Sequence, residues 1–134
     1  MPFSVRVNEP QRTITLACWG EITVDDLMEY ERRYWAGTEH EGFHHVVDLQ
    51  LAVLNISLDE GQMLATHATP VDLNAYTGAR SAIVVADEEQ HYLGEAYRDA
   101  RHLMCSPKIR EVGVFDSTEQ AKAWLDESIL TIVS

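Results

Sequence analysis

Basic residues are scarce: ten Lys and Arg stand against 22 Asp and Glu, for a formal net charge of -12. Nucleic acid and anionic membrane surfaces are held by Lys/Arg fields, so neither is expected as the main partner. No apolar run approaches the roughly 20 residues of a membrane span, and no integral membrane segment is expected. The opening residues MPFSVRVNEPQRT lack a basic region followed by an apolar stretch and a cleavage site, which points to the cytoplasm. Cysteine is nearly absent. Cys18 and Cys105 form no CxxC motif, so two reduced thiols are expected rather than a disulfide or a zinc site.

Chemical signatures are missing too. No Gly-rich turn joins a strand to a helix, which argues against nucleotide cofactors. A response-regulator receiver needs an Asp pair after its first strand and a Lys after its last, whereas VFDST ends in Asp116 without that Lys. Ser57, His67 and Asp59 could compose a hydrolase triad, yet no Gly-x-Ser-x-Gly elbow accompanies them. In EHEGFHH, His40, His44 and His45 sit with two Glu residues, but neighbouring strand residues point to opposite faces, so His44 and His45 do not share one ion without a bulge. No catalytic residue, metal or cofactor is assigned.

What remains is a well-patterned α/β chain. Nearly half of its 134 residues are apolar, enough for one core, and a single domain over residues 1–134 is expected. FSVRVN and RTITLACW alternate apolar and polar residues around the turn NEPQ, which predicts a hairpin that ends at Gly20. Thr23 can cap a helix running to Gly37, with Val24, Leu27, Met28, Tyr34 and Trp35 at helical spacing. FHHVVDLQL reads as a strand, AVLNI as a loop, and Leu58, Gly61, Leu64, Ala65 and Ala68 as one face of a second helix. Turn formers Pro70, Asn74 and Gly78 then precede SAIVVAD, an apolar run suited to a strand covered on both faces. Leu93, Ala96, Tyr97, Ala100 and Leu103 mark a helix from Glu88 to Met104, followed by the strand REVGVFD, a helix capped by Ser117, and ILTIVS as a tail. The order ββαβαβαβα predicts a mostly parallel, mixed five-stranded sheet with about four helices.

In its C-terminal half, GARSAIVVADEEQHYLGEAYRDARHL followed by REVGVFDSTEQAKAWL resembles the SpoIIAA-like branch of the STAS superfamily. The shared pattern is a buried strand, a Tyr-containing amphipathic helix, a strand ending in Phe, and a closing helix with Ala121, Trp124 and Leu125. Anti-sigma-factor antagonists of this superfamily carry an Asp-Ser-Ser-Gly turn whose Ser is phosphorylated. The resemblance implies Ser57 as the regulatory candidate, here in the sequence Asn55-Ile56-Ser57-Leu58-Asp59-Glu60-Gly61, with one Ser and no preceding Asp. Taken alone, the residues read as a Ser N-cap with acidic first-turn companions.

The turns after strands two to five should emerge at one end of the sheet, where open α/β sheets bind ligands. They carry Trp19, Glu21, Asp48, Gln50, Ser57, Asp87, Glu88, His91, Tyr92 and Asp116. Helix-dipole complementarity accounts for much of that acidity. The resemblance also implies a small hydrophobic, lipid-like ligand, which aromatics between helices would line. Candidate ligand-binding residues are therefore Trp19, Asp48, Gln50, His91, Tyr92 and Tyr97. The sequence points to a non-enzymatic domain that binds itself, a protein partner or a small apolar ligand. Its alternative is an acidic-site hydrolase at the C-terminal ends of the strands.

Overall fold

The computed structural model describes residues 3–35, 40, 42–75 and 79–133. Alternation at Phe3, Ile14, Leu16 and Cys18 builds the expected hairpin of β1 (Phe3–Asn8) and β2 (Thr13–Thr23), paired antiparallel. Strands β3 (His44–Asn55), β4 (Ala79–Val84) and β5 (Arg110–Phe115) follow in parallel, in the spatial order β1-β2-β3-β4-β5. The helices are α1 (Val24–Tyr30), continued by a π-helical segment Glu31–Trp35, then α2 (Leu58–Ala75), α3 (Glu88–Met104) and α4 (Thr118–Val133). The mixed five-stranded sheet and the ββαβαβαβα order agree with the sequence expectation.

Sequential strand order has a consequence for the layers. All three parallel crossovers step the same way across the sheet, so one hand of connection puts α1, α2 and α3 on the same face. Only α4, which follows the last strand, packs on the other face, against β3, β4 and β5. Period-two burial serves both sides: Leu16, Leu49, Ile83 and Val112 join the core under the three helices, while Val46, Ala82 and Val84 pack against Ala121 and Leu125 of α4. Trp124 packs at a 46° tilt against Phe115 with centroids 5.1 Å apart, and the Arg80 guanidinium lies 4.7 Å from the Trp124 ring centroid.

Four elements run longer than their sequence signals suggested. Gly20 does not end β2; it takes φ +66°, which glycine adopts without strain, and the strand continues to Thr23. AVLN is not a loop, because β3 continues beside the extended β2 as far as Asn55. Pro70 does not end α2, which continues to Ala75 with the proline exposed inside it. Ala65, Ala68 and Thr69 are buried around the proline, so packing outweighs one lost backbone hydrogen bond. The ILTIV expected as a tail belongs to α4. Gly37 and Gly78, expected to end a helix and make a turn, lie outside the described residues.

One irregularity shapes the rest. Ala17 pairs with Asp48 and Trp19 with Leu51, so Leu49 and Gln50 together oppose the single residue Cys18. This β-bulge reverses the facing of β3. Up to its first residue, Val47 and Leu49 face the three-helix side; after it, Ala52 and Leu54 do, and Leu51 and Val53 turn outward.

Candidate functional site

A partly open cavity of about 100 Å³ lies between the sheet and helices α1, α2 and α3. Val47 from before the bulge and Leu49 at its start line it together with Leu54 and Ile56 from after it. Without the bulge the second pair would face the opposite side of the sheet. Ile83 forms more of the floor, and Leu27, Leu64 and Leu93 supply the helical walls. Two glycines line the cavity as well. A Cβ on Gly94 would come within 3.3 Å of Val114, so glycine lets α3 approach the sheet closely, whereas a Cβ on Gly61 would meet nothing within 4 Å.

The bulge is held from above by one side chain. Gln90 Nε2 donates to the carbonyls of Leu49 at 2.9 Å and Ala52 at 2.8 Å, while its Oε1 accepts from the Ala86 N–H at 2.9 Å. Gln90 is itself buried in the first turn of α3, where Asp87 Oδ1 accepts from its backbone N–H.

Besides Ser81, three larger polar side chains reach the lining of the cavity. Tyr30, Glu31 and Tyr97 line it, each near a buried guanidinium, Arg110 for the two tyrosines and Arg101 for Glu31. The Tyr97 hydroxyl accepts from Arg101 Nη1 at 3.1 Å, and the Tyr30 hydroxyl bonds His45 Nδ1. Burial holds the His45 imidazole well below the usual histidine range, helped by the positive charges of Arg110 and Arg101. The Glu31 carboxyl differs from its neighbours: its Oε2 is buried and meets no hydrogen-bond partner among the described residues. Burial pushes this carboxyl up to about 8, against a smaller lowering by Arg101. At neutral pH it is therefore mostly the uncharged acid, able to donate a proton.

Among the residues singled out in the sequence, Tyr97 lines the cavity and the others lie elsewhere. Gln50 Nε2 donates to the Asp116 carbonyl at 3.3 Å, and His91 Nδ1 lies 3.8 Å from Asp116 Oδ1, so these two meet at the strand ends through Asp116. His91 also contacts Glu95. Asp48 Oδ1 accepts from the Gln50 N–H at 3.0 Å. Tyr92 is 61% exposed and Trp19 45% exposed; Trp19 pairs in register with Leu51, which is 80% exposed.

Ser57 forms a reciprocal capping box. Its Oγ accepts from the Glu60 N–H at 3.1 Å, and its own N–H donates to Glu60 Oε1 at 2.9 Å. Thr23 with Asp26 closes α1 in the same way, and Asp87 and Ser117 cap α3 and α4. Much of the acidity at the strand ends is thus used in helix starts. His67 sits ten residues along α2 from Ser57, roughly 15 Å of helix, so a Ser57–His67 pair is not assembled.

His44 accepts from the Arg80 N–H at 2.9 Å on one face of β3 while His45 meets Tyr30 on the other. Among the described residues no group of three His, Cys, Asp or Glu side chains is placed to hold a metal, and no helix is long and apolar enough to cross a membrane. Cys18 and Cys105 are free and buried; burial pushes the Cys18 thiol up to about 12, with Asp48 and Asp26 adding to the rise.

Glu31 and Gln90 escaped the sequence reading. Glu31 had a signal, since it continues the helical spacing of Val24, Leu27 and Met28 toward Tyr34 and so stands inside an apolar stripe. Gln90 had none, because its partners are carbonyls of a bulge 40 residues away.

No family model matches this chain, and no curated protein does. Among solved structures, it is similar to an uncharacterised protein of the DUF3478 family from Shewanella loihica PV-4, described as having a SpoIIAA-like fold, at 16% identity and a TM-score of 0.48 over 92% of this chain and 91% of that one.

Proposed function

We propose that the protein is a non-enzymatic, cytoplasmic binding domain whose ligand presents a small apolar group to the cavity between the sheet and α1, α2 and α3. The observation that carries this reading is the cavity itself, walled by Leu27, Leu49, Leu54, Leu64 and Leu93 and open on one side. Its enclosed volume of about 100 Å³ is below the ~150 Å³ that accepts benzene in an engineered protein core. A chain end of four or five carbons fits that scale, and the remainder of a longer ligand would leave through the open side. Binding of n-pentane, followed through the methyl NMR signals of the lining leucines, tests the proposal. Pentane should shift those signals in the wild type, and Gly61→Leu, which grows a side chain into the open space, should abolish the shifts while keeping the fold. Absence of any shift, or shifts unchanged in Gly61→Leu, would remove the reading.

A second reading, self-association through the outer face of the extended β2–β3 pair, rests on a separate observation. Trp19, Leu51 and Val53 turn outward there, with Val53 68% exposed. Under this reading, sedimentation shows a dimer in the wild type and a monomer in Leu51→Lys. A wild-type monomer at high concentration rejects it. Phosphorylation of Ser57 fits less well, because a phosphate on Oγ would place its charge against Glu60 within the capping box.

A further inference from the structure

Resting on the cavity-binding reading above, we infer that the cavity selects an apolar group carrying a neutral hydrogen-bond acceptor, such as a ketone or ester carbonyl, to which the Glu31 carboxyl O–H donates. Three observations on Glu31 converge. Its Oε2 is buried without a partner among the described residues, a state that costs free energy unless something fills it. The residue lines an otherwise nearly apolar cavity, so a rotation of its carboxyl would present the covered Oε2 to an entering group. It opens the π-helical segment Glu31–Trp35, a wide turn of the kind that often occurs at functional sites.

The surrounding groups narrow the ligand class. Arg101 and Tyr97 approach from α3, Tyr30 from the residue before, and His45 and Arg110 lie behind Tyr30. A cationic ligand would enter beside two guanidinium groups, which disfavours it. A purely hydrocarbon group would leave Glu31 Oε2 buried and unpaired. A carbonyl oxygen pairs it and leaves the rest of the ligand to the leucine walls. Burial raises the carboxyl to about 8, in keeping with a donor at neutral pH.

The test compares n-pentane with 2-pentanone in the wild type, Glu31→Leu and Glu31→Gln, with affinities read from the NMR shifts of the lining leucines. One net hydrogen bond of about 1 kcal/mol corresponds to roughly fivefold in affinity. Glu31→Leu should weaken 2-pentanone about fivefold relative to pentane, and Glu31→Gln, which keeps an N–H donor, should restore most of the loss. In the wild type itself, raising the pH from 6.5 to 9 should weaken 2-pentanone more than pentane, a measurement that needs no variant to fold. Equal losses for both ligands in Glu31→Leu, or a 2-pentanone affinity independent of pH, would overturn the inference while pentane binding still upheld the cavity. Failure of pentane to bind would remove the cavity reading and this inference with it.

Discussion

Gln90 and Leu49 are joined across the fold by a 2.9 Å hydrogen bond from the Gln90 amide to the Leu49 carbonyl, in the bulge where β3 changes facing. The same amide nitrogen serves Ala52. Both carbonyls belong to buried residues that β4 does not reach, since β4 pairs β3 only over His45–Asp48. Gln90→Leu fills similar space but leaves two carbonyls without a donor, at about 1–3 kcal/mol for each group. Chemical denaturation should show a loss of at least about 2 kcal/mol together with reduced pentane binding. A loss below about 0.5 kcal/mol would mean that water or a shifted backbone serves the bulge equally well.

Such a bond is invisible to periodicity, and this marks the boundary of what the sequence disclosed. Local patterns sufficed for the five strands and four helices, because alternation at Ile14, Leu16 and Cys18 and the stripe at Leu93, Ala96 and Tyr97 are written in neighbouring residues. Punctuation by single residues was weaker. Gly20 and Pro70 carry strong local breaking signals, yet β3 pairs beside one and buried Ala65 and Ala68 flank the other. Tyr97 was expected among ligand-binding residues and lines the cavity, while Tyr92, on the same helix, points to solvent. The cavity depends on an extra residue in β3, and only pairing with β2 reveals which residue is extra.

At the start of α2, the Ser57–Glu60 box should be measurable as helix-cap stability. Ser57→Ala removes the acceptor for the Glu60 N–H and should cost about 1 kcal/mol. Ser57→Asp keeps an acceptor there and should lie within about 0.5 kcal/mol of the wild type. Thermal or urea unfolding of the three proteins distinguishes the cases; an equal loss in both variants would show that the hydroxyl does more than cap.

Under α4, Gly113 leaves room for aromatic rings. A Cβ there would lie 2.7 Å from Phe115 Cε2 and 3.2 Å from Trp124 Cη2. Gly113→Ala should therefore push the Phe115–Trp124 pair aside and destabilise the fold by about 1–3 kcal/mol, in spite of alanine's lower conformational entropy cost. Tryptophan emission should change with the same substitution, and the change should vanish when Trp19 and Trp35 are retained but Trp124 is replaced by Phe. A stabilised variant with unaltered emission would show that the rings yield freely.

The Glu31 carboxyl gives the stability of the protein a pH dependence whose sign is fixed. In the unfolded chain this group releases its proton near 4.5, whereas in the fold burial holds the proton to about 8. Between these values the folded state binds more protons, so stability falls as pH rises, by at most about 1.4 kcal/mol per pH unit, and levels off above 8. His45, His44 and His102 act in the opposite sense. Burial lowers all three below 6.5, so the unfolded chain takes up protons first as the pH drops, and stability is lost toward acid. Above about pH 7.5 the facing groups add little: the histidines have lost most of their protons in both states, Arg101 is lowered only to about 10, and burial raises Tyr30 and Tyr97. Urea unfolding of the wild type should therefore show stability declining from about pH 7.5 to 8, above the range in which the unfolded histidines bind most of their protons, and Glu31→Leu should abolish that decline while keeping the histidine-linked loss in acid. A decline of equal slope in the variant would assign it to other groups and leave Glu31 ionised in the fold.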